Sequence, residues 1–105
     1  MITPTTLKNA AFAIEHDLFT DPDGAHYLVK DGAILRRWEP LADDGDAFRL
    51  AVALNISISQ SPFGVDCGNY GEGVTFEGWG DDRLSATRRA IVRAASALGA
   101  KLCQS

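Results

Sequence analysis

Apolar residues recur at helical spacing near the start of the chain, at alternate positions through its middle, and at helical spacing again over its last quarter. Leu7, Ala11, Ile14 and Leu18 fall on one side of a helix that Thr3 caps and Pro4 opens, because proline's missing N–H costs nothing at the first helical position. The spacing predicts that this helix fades near His16 or Asp17, ahead of a turn at Asp21-Pro22-Asp23-Gly24. Tyr27-Leu28-Val29 and Ile34 to Trp38 read as two strands of a hairpin joined through Lys30-Asp31-Gly32, where Asp-Gly is the turn signal. Pro40 follows the second strand and cannot extend it.

Ala47 to Leu54 is apolar around so much of its girth that a mostly buried helix is expected, with Phe48, Ala51, Val52 and Asn55 sharing a face. Asp43, Asp44 and Asp46 stand at its positive end, and Asn55 is suited to close it in a left-handed conformation. Ile56 to Ser59 and Val74 to Trp79 alternate with period two and supply two more strands, with the glycine-rich stretch Ser61 to Gly73 expected as a long loop between them. Asp81 or Asp82 then caps a last helix with Leu84, Ile91, Ala94, Ala95 and Leu98 on its core side and Gly99 as its expected terminator. The resulting order is α-ββ-α-ββ-α. It predicts an α+β fold in two layers, one antiparallel sheet of about four strands with helices packed on one face, in a single domain spanning residues 1–105. Beyond a loose ββα echo, no internal repeat is visible in the sequence.

Charge narrows the choice of partner. The net charge of −4 and pI near 4.9 disfavour a general affinity for nucleic acid. The acidic residues gather early, at Asp17, Asp21, Asp23, Asp43, Asp44 and Asp46, while Arg83, Arg88, Arg89, Arg93 and Lys101 gather late, and separate patches of opposite sign suit association with another protein. No arginine-led apolar leader opens the chain, and no stretch approaches the roughly 20 apolar residues that span a bilayer. Two cysteines, Cys67 and Cys103, lack the spacing of a zinc site, so two free thiols in a reducing cytoplasm are expected and their pairing is left open.

Each chemical candidate has a simpler structural explanation beside it. Gly68-Asn69-Tyr70-Gly71-Glu72-Gly73 has the glycines of a phosphate cradle but is followed by a strand rather than a helix. Asp43, Asp44 and Asp46 are oxygen donors of the type calcium takes, yet they lack the spacing of a calcium loop, and helix capping accounts for them. His16 and His26 are the only histidines, and a small enzyme would need one of them beside Cys67. Arg83, Arg88, Arg89 and Arg93 would carry a nucleic-acid reading, against an acidic chain with no accompanying stack of aromatics. Phe63 and Tyr70, in the glycine-rich stretch, are hard to bury and suit a protein contact. No cofactor and no metal is expected.

Two blocks carry a resemblance. Trp38-Glu39-Pro40-Leu41-Ala42-Asp43-Asp44-Gly45-Asp46-Ala47-Phe48-Arg49-Leu50-Ala51-Val52, followed by Ala86-Thr87-Arg88-Arg89-Ala90-Ile91-Val92-Arg93-Ala94-Ala95, resemble the small NinX-like proteins of phages and prophages over roughly Ile34 to Leu98. The resemblance implies a phage origin and an accessory role, and it brings no catalytic residues. The function expected is therefore a non-enzymatic protein-binding accessory protein in the cytoplasm of a bacterial host, acting on a host or phage protein. An inhibitor of a host defence complex, as anti-CRISPR proteins are, is its most specific form. Asp43, Asp44, Asp46, Phe63 and Tyr70 would form the contact, with no membrane involved and a homodimer left open.

Overall fold

The computed structural model describes residues 2–69 and 72–103, apart from the side chain of Cys103. Three helices alternate with two three-stranded antiparallel sheets: α1 (Pro4–Ala13), β1 (Asp17–Thr20), β2 (His26–Lys30), β3 (Ala33–Arg37), α2 (Asp44–Ala53), β4 (Ser57–Gln60), β5 (Gly64–Asn69), β6 (Glu72–Gly78) and α3 (Arg83–Cys103). The class is α+β as expected, but the strands form two sheets, ordered β1-β2-β3 and β4-β5-β6, in place of one sheet of four. The faint echo in the sequence is an α-βββ unit used twice, each unit ending on a buried tryptophan, Trp38 and then Trp79.

The two units share their local chemistry. Each helix start is held by a side chain. Thr3 accepts from the Thr6 N–H within a reciprocal capping box, Asp43 accepts from Gly45, and Asp82 accepts from Leu84 and Ser85. The exits of α1 and α2 share their closing bonds. Glu15 (φ 62°) and Asn55 (φ 53°) take the left-handed conformation, and the following residues donate back to Ala11 and Ala51, as His16 N–H at 3.0 Å and Ile56 N–H at 2.9 Å. Asn55 closes α2 as its sequence suggested. Glu15 does the same for α1 without the asparagine or glycine that advertises it, so α1 stops early and Leu18 belongs to β1 rather than to a helix.

The second correction concerns Ser61 to Gly73. Ser61-Pro62-Phe63-Gly64 makes a tight turn with Ser61 N–H donating to the Gly64 carbonyl at 2.9 Å, and the chain then returns as β5. Val65 and Cys67 of that strand are fully buried against α3. Gly64 and Gly68 face the other side of the sheet. A Cβ on Gly64 would overlap the Glu77 carbonyl and the Phe76 ring, which lies over that glycine.

The third correction concerns Gly99, which lies inside α3 and not at its end. α3 is the central element: α1 packs along it, β5 and β6 lie across it, and α2 flanks it. Its core side is lined by Ala86, Ala90, Ala94 and Ala95, all wholly buried. At Gly99 the two helices come so close that a Cβ would overlap the carbonyl oxygen of Asn9. Thr75 Oγ1 reaches past the alanines to donate to the Ala90 carbonyl at 2.8 Å, tying β6 to the helix.

Two stability outcomes follow from these contacts. Gly99→Ala gains helix propensity of about 1 kcal/mol, but the overlap with α1 outweighs it. A net loss of about 1–3 kcal/mol is expected from urea unfolding, and a gain would show that α1 does not sit on Gly99. Glu15→Asn removes a left-handed cost and should raise stability by up to about 1 kcal/mol in the same assay.

Candidate functional site

The N-terminal halves of α2 and α3 part to leave a groove of about 430 Å³, bounded on its third side by β4. Ala47 and Ile91 are buried beneath it, and Phe48, Ile58 and Leu84 form its walls. Arg88 and Asp44 stand at its rim as an ion pair, and Arg88 also donates to the Leu41 carbonyl at 2.8 Å. Phe48 and Leu84 are 64% and 60% exposed, and Val52 continues the same apolar surface along α2. The expectation of a mostly buried α2 is therefore corrected. Its buried stripe is Asp46, Ala47, Leu50 and Ala51, and the Phe48 and Val52 row points away from the core. These apolar residues were legible as helix and strand positions, but nothing in their spacing said which side the second sheet would leave uncovered.

The three aspartates at the start of α2 separate. Asp43 caps the helix and Asp44 pairs with Arg88, both exposed. Asp46 is 3% exposed and accepts from Arg36 at 2.8 Å, Arg49 at 2.7 Å and the Glu39 N–H at 2.8 Å. A partner meeting this end of α2 thus finds Asp43 and Asp44, while Asp46 joins β3, α2 and the segment between them from within. Phe63 is 81% exposed at the tip of the β4–β5 turn. Tyr70 lies outside the described residues.

The four arginines of α3 all have partners inside the chain. Arg83 stacks 4.7 Å from the Trp79 ring centroid. Arg88 is held as described, and Arg89 and Arg93 grip the two oxygens of Glu77 at 3.1 and 2.6 Å. Burial pushes the Glu77 carboxyl upward, but the hydrogen bonds from Arg93 and Arg89 outweigh it and hold the group below the usual range.

Cys67 and His26 occupy different sheets. His26 shares a hydrogen bond with Thr20 Oγ1 at 2.8 Å. The Cys67 thiol is pushed up to about 11, first by burial and then by the neighbouring Asp66 charge, so it carries little thiolate at neutral pH. Among the described residues no group of three or more histidine, cysteine, aspartate or glutamate side chains is placed to hold a metal ion. Among the described residues, no helix is long and apolar enough to cross a membrane.

Asp46 makes the interior network sensitive to acid. Burial pushes its carboxyl up, and the hydrogen bonds from Glu39, Arg49 and Arg36 more than reverse this and hold it below the ordinary value. The folded value lies beneath the unfolded one of about 3.9, so the stabilisation is complete above roughly pH 4 and drains away as pH falls through the folded value. Asp46→Asn should lower stability by about 1–3 kcal/mol at neutral pH. Its urea midpoint should also fall less steeply than that of the unaltered chain when acidified below pH 4, and an equal acid slope would remove Asp46 as a source of that dependence.

Comparison with known protein families, with curated proteins and with solved structures finds no match for this chain.

Proposed function

We propose that this chain is a non-enzymatic protein-binding module that docks on its partner through the groove between α2, β4 and α3. One observation carries this reading: Phe48 and Leu84, large apolar side chains near the starts of two adjacent helices, stand more than half exposed around an apolar groove. Exposed apolar surface of this kind, with a charged rim, is characteristic of protein contacts, in which a few large side chains carry most of the affinity. The NinX-like blocks cover nearly all of α2 and residues 86–95 of α3, so they include Phe48, Thr87, Arg88 and Ile91 of the groove, with Leu84 just ahead of the second block. An accessory role for a phage or prophage, in its most specific form inhibition of a host defence complex, is the biological setting that fits these blocks.

The competing readings draw less support from the geometry. A nucleic-acid contact through Arg83, Arg88, Arg89 and Arg93 has to break an existing ion pair or stack for each phosphate it gains. A thiol enzyme has to start from a buried Cys67 whose pKa has moved away from reactivity.

The test is retrieval of a partner from bacterial host lysate by the tagged full chain, compared with Phe48→Asp and Leu84→Asp. Both positions are exposed, so the circular dichroism of the variants should be unchanged. Each should weaken capture of a stoichiometric partner by about thirty-fold, the equivalent of roughly 2 kcal/mol for a central contact residue. Equal recovery by all three proteins would exclude the groove as the contact.

A further inference from the structure

The two sheets leave four edge strands among the described residues: β1, β3, β4 and β6. An open edge is a row of unpaired backbone groups, and folded proteins guard such rows with charge or proline. β1 carries Asp17, β3 carries Arg36 and Arg37, and β6 carries Glu72 and Glu77. β4, Ser57-Ile58-Ser59-Gln60, has neither charge nor proline, and all four of its residues are exposed.

The direction of its free groups follows from the hairpin. Ser61 and Gly64 form the closing hydrogen-bonded pair, and antiparallel pairs alternate, so Ser59 with Asp66 and Ser57 with Gly68 bond across the ladder. Ile58 and Gln60 therefore turn their N–H and C=O outward. The Ile58 side chain shares a face with its partner Cys67, the face that α3 covers, and it lines the groove. A strand laid against β4 would pair with Ile58 and send the opposing side chain, on the same face, between Phe48 and Leu84.

We infer that the groove is the site of a missing strand, and that its occupant is an extended segment of the partner protein, apolar at alternate positions and flanked by lysine or arginine. This rests on the protein-binding reading above and specifies how the partner is held. Charge selects the occupant. Asp43 and Asp82 cap the two helix starts through Gly45 and Leu84, which line the groove, and among the described residues neither has a cationic side chain bound to it, whereas Asp44 has Arg88. Two copies of an acidic chain joined at β4 would bring those carboxylates together, and a basic-flanked segment would meet them with opposite sign. Strand addition supplies main-chain hydrogen bonds, and the groove reads alternate side chains.

The probe is a fluorescein-labelled peptide of sequence KTVTVTVK, titrated with the full chain and followed by anisotropy. Saturable binding is expected, with slowed hydrogen exchange at the Ile58 and Gln60 amides. The counterparts ETVTVTVE and KTVTPTVK should each bind at least tenfold more weakly, the first through its charge and the second through its lost pairing. Leu84→Asp should weaken the first peptide tenfold or more although it makes the chain more acidic, which separates groove binding from simple charge attraction. Gln60→Pro removes an outward N–H, leaves the ladder to β5 intact, and should weaken it comparably. Equal affinity for the two charge versions, no effect of Leu84→Asp, or a helical signal in the bound peptide would overturn the inference. A dimer in light scattering, with Ile58 and Gln60 already protected in the free chain, would overturn it in favour of a second copy. Should the lysate partner be lost on Leu84→Asp while no extended peptide binds, the docking surface stands and strand addition falls.

Discussion

A stripe of alanines ending in a glycine runs along the core side of α3, and the placement of α1, α2, β5 and β6 depends on it. Ala86, Ala90, Ala94 and Ala95 are wholly buried and Gly99 accepts the backbone of α1 directly. Small residues let neighbours approach closely enough for backbone and short side chains to make contact, which is how Thr75 reaches a helical carbonyl. Larger core side chains fill what the alanines leave: Leu28, Trp38, Leu50, Val65 and Trp79 from the rest of the chain, with Ile91 and Val92 from α3 itself. The short side chains of this helix therefore set the spacing at which its neighbours pack.

Charge is handled locally in this fold. Asp46 gathers two arginines and a backbone N–H, Glu77 gathers two more arginines, and Arg88 joins the start of α2 to α3. Most of these pairs are partly open to solvent and individually modest in strength, so their main effect is to place elements rather than to stabilise them. Asp46 is the exception because it is enclosed, so loss of either arginine leaves a buried charge only partly compensated. The arginines of α3 are engaged inside the molecule, and where α2 and α3 diverge the surface between them is apolar.

How much of this was legible depended on whether the deciding contact was local. Thr3, Asp43, Asp82, Asn55 and the Asp31-Gly32 turn act within a few residues of themselves, and each was readable in the chain. Glu15 does the work of Asn55 with an unfavourable residue, because the Ala11 and Phe12 carbonyls and the start of β1 over-determine it. Ser61-Pro62-Phe63-Gly64 mirrors Asp21-Pro22-Asp23-Gly24 in its proline and glycine, and that likeness was the available signal for β5. Its neighbouring glycines disguised the strand, since their role is to accept the Phe76 and Val74 side chains from β6. The exposed face of α2 had no local signature at all, because only the placement of the second sheet decides which apolar row is left uncovered.

The crossing of Asn9 and Gly99 has a consequence in time. A chain made from its amino end produces α1 before both sheets and the glycine that seats it after them. During synthesis the helix therefore has its caps but no groove to lie in, and closing so long a loop is the slow, entropically costly step. Within these residues α1 is translated ahead of both sheets and finds its seat only once Gly99 has followed them.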